Sequence, residues 1–242
     1  MKLKTISTLC FAASTMLVAS SAMAWENGDH STSASVALTS DYVWRGASQT
    51  LEDAAISGSF DYSHASGFTA GVWASNVDFT DDAPDDGADI EIDIYASFGG
   101  ELDNGIGWDV GYLRYIFPGT TAGNDYDWNE YHVSASYSYF SAAVNYSDDY
   151  LAGGNDGLYY TLGFDYELPQ GFALSAGVGF TDVDEAGADS YTDYNVGISK
   201  ELAGFGFDAR YYDTDNDAQD FYGSDTDDLL EGRVVFTISK SM

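Results

Sequence analysis

Ile90-Glu91-Ile92-Asp93-Ile94-Tyr95-Ala96-Ser97-Phe98 decides the fold. Ile90, Ile92, Ile94, Ala96 and Phe98 take every second position, and Glu91, Asp93, Tyr95 and Ser97 fill the places between. Successive side chains of a strand point to opposite faces, so a period of two describes a strand with one apolar and one polar face. Leu158, Tyr160, Leu162, Phe164 and Tyr166 repeat the pattern, as do Phe172, Leu174, Ala176, Val178 and Phe180. Phe205, Phe207, Ala209 and Tyr211 continue it, and Leu230, Val234, Phe236 and Ile238 end it.

About twelve such segments follow one another, near 33–45, 54–63, 67–78, 89–99, 105–117, 127–138, 140–148, 157–167, 171–181, 191–200, 204–213 and 228–240. Each is about 9–13 residues long, the length a tilted strand needs to cross a bilayer. Strands of globular proteins are nearer five or six. After Trp25 no stretch approaches eighteen apolar residues, which excludes helical membrane spans. The connections alternate between short turns, such as His64-Ala65-Ser66-Gly67 and Glu201-Leu202-Ala203-Gly204, and longer loops near 46–53, 79–88, 118–126, 149–156, 182–190 and 214–227. With an even strand count, every long loop falls at one end. Outer-membrane barrels have this asymmetry.

A soluble β-sandwich alternates too, but its apolar faces meet each other. Strand length, one-sided loops and the aromatic residues favour the barrel. Tyr42, Trp44, Trp108, Tyr112, Phe117, Trp128, Tyr131, Phe140, Tyr146, Tyr150, Phe172, Phe180, Tyr194 and Phe205 gather toward segment ends. Rings with an apolar body and polar edge suit a membrane interface, so these are expected to form girdles. The opposite face is rich in Gly, Ser, Thr and Asp, which suits a wet lumen.

Composition narrows the partners. Forty acidic and eight basic side chains give a net charge of −32 in 242 residues. Such a surface repels phosphate backbones and excludes nucleic acid. Disorder is excluded by a 45% hydrophobic content. The single cysteine, Cys10, rules out a disulfide framework. Lys2 and Lys4, an apolar run from Ile6 to Val18, and Ala22-Met23-Ala24 form the layout of a signal peptide over 1–24, cleaved before Trp25. Residues 25–242 then form one barrel domain. Cleavage removes two of the eight bases and no acid, leaving a net charge of −34.

The run Ser40-Asp41-Tyr42-Val43-Trp44-Arg45-Gly46-Ala47-Ser48-Gln49-Thr50 resembles the opening of the TorF-like porins of proteobacteria. The likeness extends along the remaining chain in length, hairpin spacing and a closing strand ending Phe236-Thr237-Ile238-Ser239-Lys240. It implies an outer-membrane barrel of a Gram-negative cell and names no solute. Such barrels usually end in Phe, which assists the barrel-assembly machinery; Met242 stands there instead.

Strand parity places Asp41, Arg45, Glu91, Asp93, Asp208, Arg210, Glu231 and Arg233 in the lumen, and Arg114 joins them on one of two possible parities. Rings of opposed charge set pore selectivity. Mutual neutralisation is the plainer reading, since charges in a confined lumen must be paired or hydrated. Inward acids outnumber inward arginines, so the pore is expected to prefer cations or neutral solutes. Acid clusters occupy the longer loops: Asp78, Asp81, Asp82, Asp85, Asp86 and Asp89; Asp182, Asp184, Glu185 and Asp189; and Asp213 through Asp228. Dense carboxylates attract hard divalent cations. Asp213-x-Asp215-x-Asp217 starts like a calcium loop but lacks its glycine and closing Glu. No hydrolase, zinc-protease or phosphate-loop motif is present, so neither catalysis nor a cofactor is expected.

The expected function is passive diffusion of small hydrophilic solutes, in contact with outer-membrane lipid and lipopolysaccharide. The alternative is a non-conducting barrel whose acidic loops bind cations or an external partner. A soluble periplasmic binding module and a barrel enzyme rank below both.

Overall fold

A computed structural model describes residues 25–79, 87–120, 126–184, 190–222 and 227–242. The signal segment 1–24 and the loop acids Asp81, Asp82, Asp85, Asp86, Glu185, Asp189 and Asp225 lie outside the described residues. The alternating segments form strands β2 (His30–Thr39), β5 (Ala55–His64), β6 (Phe68–Asn76), β7 (Ile90–Glu101), β8 (Gly107–Ile116) and β9 (Trp128–Tyr137). They continue as β10 (Phe140–Ser147), β11 (Gly157–Leu168), β12 (Phe172–Val183), β13 (Tyr191–Leu202), β14 (Phe205–Thr214) and β15 (Arg233–Ser241). Two short pieces, β3 (Val43–Trp44) and β4 (Ala47–Ser48), lie between β2 and β5, and β1 (Trp25–Asn27) pairs back on β2. Helices α1 (Asp217–Tyr222) and α2 (Asp227–Leu230) precede β15.

Each long strand pairs antiparallel with its sequence neighbour, and β2 closes the ring by pairing with both β5 and β15. The result is a closed twelve-stranded antiparallel barrel with no free edge.

Burial is inverted relative to a soluble protein. Ile56, Leu162 and Phe236 are each at least 61% exposed on the outside, whereas Asp93 and Ser147 are fully buried inside. Leu38, Ile94, Phe98, Val133, Phe140, Val178, Ile198 and Ile238 continue the exposed apolar band. A continuous band of this kind is stable against lipid and not against water. Toward the end carrying the short turns the inward residues include small polar pairs: Ser35 bonds Ser59 at 2.9 Å, and Thr69 bonds Ser97 at 2.7 Å.

One segment departs from the sequence expectation. Residues 33–45 read as a single strand, but β2 stops at Thr39 and residues 40–53 turn into the barrel. The girdle reading of Tyr42, Trp44, Phe117, Trp128 and Tyr150 is corrected with it. All five are at most 8% exposed and pack together inside. Alternation reports that a residue faces the apolar side of something; here that something is the folded-in loop. Tyr131, Phe140, Phe180, Tyr194 and Phe205 do face outward.

Candidate functional site

β3 and β4 form a two-residue hairpin, with Val43 opposite Ser48 and Trp44 opposite Ala47. Its tip residues, Arg45 (φ 48°) and Gly46 (φ 86°), are both left-handed. That is the pairing a tight primed turn demands, and glycine supplies the second position without strain. A Cβ at Gly46 would strike the Thr214 methyl and come 3.0 Å from the Asp193 Cβ. The tip is therefore seated against β14 and β13, two and three strands round the ring from β2, where the loop begins.

Side chains fix the base of this hairpin first. Asp41 accepts from Ser48 Oγ at 2.7 Å and Thr50 Oγ1 at 3.1 Å, and Arg233 Nη1 donates to its other oxygen at 3.1 Å. Arg233 also reaches Glu52 at 3.2 Å and the Asp228 carbonyl. Arg45 then carries the tip. Its guanidinium donates to Glu130 and, at 3.1 Å, to the Tyr150 hydroxyl. It lies 4.0 Å from the Tyr159 ring centre and 4.2 Å from that of Trp44. Tyr191 donates its hydroxyl to the Arg45 carbonyl at 3.1 Å. Trp44 meets Trp128 and Tyr115 edge-on, and those two rings stack at 4.2 Å.

Beneath Tyr42, Glu91 and Asp93 follow one another inward on β7. Tyr42 Oη donates to Glu91 at 3.3 Å. Burial, and then the nearby charges of Glu91 and Asp93, hold the Tyr42 phenol well above its usual range, so it stays a donor. Asp93 is fully buried, and neither of its oxygens accepts a hydrogen bond.

Asp41, Arg45, Glu91, Asp93 and Arg233 thus meet around the hairpin. Arg45 does so from the turn tip rather than from a strand end. Asp208 and Arg210 face the lumen at mid-barrel, where Arg210 bonds Asn195 (2.7 Å), Ser175 (2.5 Å) and Asp208 (3.3 Å). Two expected lumenal residues are corrected. Arg114 alternates with the inward Leu113 and Tyr115, so it takes the outward parity and pairs with Asp127 at 3.1 Å. Glu231 lies exposed ahead of β15. Asp213, Asp215 and Asp217 are not gathered: Asp213 accepts from Tyr194 and Tyr211, Asp215 accepts from the Thr192 amide, and Asp217 opens α1. Among the described residues no group of three or more acids, histidines or cysteines is placed to hold a metal ion.

Glu130, Tyr159 and Tyr191, which receive the hairpin together with Tyr150 and Asp193, were not singled out by the sequence. One signal was available. A glycine between the short pairs Val43-Trp44 and Ala47-Ser48 fits a hairpin tip better than a strand end.

A family model described as a bacterial protein of unknown function (Gcw_chp) matches residues 23–242. No curated protein sequence matches the chain. The barrel is similar to the KdgM porin, with a TM-score of 0.53 at 10% identity, covering 87% of this chain and 99% of that one. It is similar to the NanC porin at a TM-score of 0.52 and 11% identity, covering 86% and 97%. Likeness at this identity establishes a shared porin-like fold.

Proposed function

We propose a function for a chain that belongs to the Gcw_chp family of bacterial proteins of unknown function: it is a narrow outer-membrane channel for small hydrophilic solutes. The observation that carries this reading is the hairpin folded across a polar-lined barrel. Such an arrangement places the narrowest and most charged section at one end of the passage, and charge rings at a constriction set selectivity. Asp61, Glu91, Asp93, Asp109, Glu130, Asp193 and Asp208 face inward against Arg45, Arg210 and Arg233. This excess of carboxylates favours cations and neutral solutes over anions.

The setting follows from the same surface. The exposed apolar band supports a barrel held by outer-membrane lipid and lipopolysaccharide, after removal of residues 1–24 and insertion by the barrel-assembly machinery. The TorF-like resemblance supports a porin role through the residues that build the hairpin. The long-loop end faces outward in this reading, with its acids available to divalent cations. A channel rather than an enzyme is the reading the porin-like fold favours.

A second reading has its own observation. Val43 and Tyr191 have no exposure at all, so the hairpin can equally seal the barrel as a plug, leaving the loops to bind cations or an external partner. Conductance of the purified protein in a planar bilayer decides. Discrete steps with a cation-favouring reversal potential support the channel. Their absence sinks it in favour of the plug, and an anion-favouring potential sinks the charge argument.

A further inference from the structure

Beyond residue 24 the chain has six bases: four arginines and two lysines, Lys200 and Lys240. Arg45, Arg210 and Arg233 are committed to the lumen, and Arg114 to Asp127. The two lysines share a different place. Both take the outward parity, on β13 and β15, and both lie at the short-turn end. Register sets Lys200 opposite Phe207, and Phe207 opposite Ile238. The lysines therefore flank β14, with Phe205 and Phe207 between them. Two strand spacings and a two-residue offset along the strands separate their backbones, roughly 12 Å.

Each ammonium rests on a ring. Lys200 Nζ is 4.2 Å from the Phe172 ring centre, and Lys240 Nζ is 5.3 Å from that of Phe205. Lys240 also donates to the Gly204 carbonyl at 2.6 Å. A groove of about 320 Å³ opens beside Lys200, walled mainly by Phe172, Ile198, Phe207, Phe236 and Ile238. The one acid in its lining, Asp208, turns its side chain to the lumen, where it pairs with Arg210, and so leaves Lys200 as the charge on the outer face of the groove.

We propose that this groove and its two lysines form a binding site for an anionic phospholipid of the membrane leaflet at the short-turn end. One acyl chain lies along the groove, and the phosphate sits between the two ammoniums. Any hydrocarbon fills an apolar groove. The selectivity for charge comes from the lysines, whose positive ends keep donors free after each has settled over a ring. Their stems lie against the phenylalanines and their heads reach the headgroup level, as lysines at membrane boundaries do. The site rests on the barrel being inserted in a membrane. It does not depend on the barrel conducting.

The test uses the full chain in mixed-lipid nanodiscs, with native mass spectrometry counting retained lipid. The probes are dioleoylphosphatidylglycerol and dioleoylphosphatidylcholine. The wild type should retain one phosphatidylglycerol with roughly thirty-fold preference, equal to about 2 kcal/mol at 1.4 kcal/mol per tenfold. K200Q/K240Q should bring the preference near one, and K200R/K240R should keep most of it. Equal retention of both lipids by the wild type overturns the proposal, as does an unchanged preference in K200Q/K240Q. Should the double variant fail to fold, K200Q and K240Q singly must each lower the preference about fivefold, and no change in either overturns it. A protein that inserts and shows the preference without conducting refutes the channel reading and leaves this site standing. A protein that fails to insert refutes both.

Discussion

Removing the Arg45 guanidinium should unseat the hairpin. Arg45 and Glu130 are 5% and 4% exposed at their side chains, so their pair is fully desolvated. Among the described residues, Arg45→Ala leaves the buried Glu130 with the Tyr115 hydroxyl alone, at 3.3 Å. Breaking a buried pair from one side costs about 3–5 kcal/mol, mostly through the stranded charge. The Tyr150 bond and the ring contacts to Tyr159 and Trp44 go with it. The barrel wall is held by its own ladder, so the cost falls on hairpin docking, a local opening. At 1.4 kcal/mol per tenfold, it shifts the ratio of seated to released hairpin by roughly a hundred- to several-thousand-fold. In a planar bilayer R45A should show larger steps and a weaker dependence of reversal potential on ion type. Limited proteolysis should cut near Arg45–Asp53 in the variant and spare the wild type. R45M/E130Q removes both charges and should recover protection, because no lone charge remains buried. Unchanged step size together with unchanged proteolysis in R45A would refute the argument that this pair seats the hairpin.

Three further outcomes follow from other residues. Gly46→Ala should release the hairpin as R45A does, since its φ of 86° and its contact with Thr214 leave no room for a Cβ; we expect a cost of about 1–3 kcal/mol, read as new protease sensitivity, and full protection would contradict it. Arg210→Ser should strengthen cation preference by removing an inward positive charge, whereas Arg114→Ser, on the outward face, should leave the reversal potential unchanged; the reverse ranking would refute the assigned parities. Asp93→Asn should stabilise the barrel by on the order of 1 kcal/mol in urea unfolding, because it replaces one of two neighbouring buried carboxyls, whose oxygens have no partner, with a neutral amide beside Glu91; a comparable loss would show that the carboxyl itself is needed.

The alternation of Ile90–Phe98 and its repeats, the roughly twelve segments and the short-long order of connections were enough to imply a closed antiparallel barrel with an apolar outside. These are local properties, because side-chain parity and turn length are written in neighbouring residues. Lumenal positions of Glu91, Asp93, Asp208 and Arg210 followed from the same parity. Arg114 did not, because its strand reads almost equally well on either face. What only the tertiary structure decided is the fate of residues 40–53. An apolar Tyr42-Val43-Trp44 can face lipid or the middle of a barrel with the same alternation. The choice rests on partners far away in sequence: Glu130, Tyr150, Tyr159 and Tyr191 across the lumen, and Arg233 near the chain's end. Burial of aromatic surface and a desolvated ion pair hold that loop, and both exist only once the ring has closed around it.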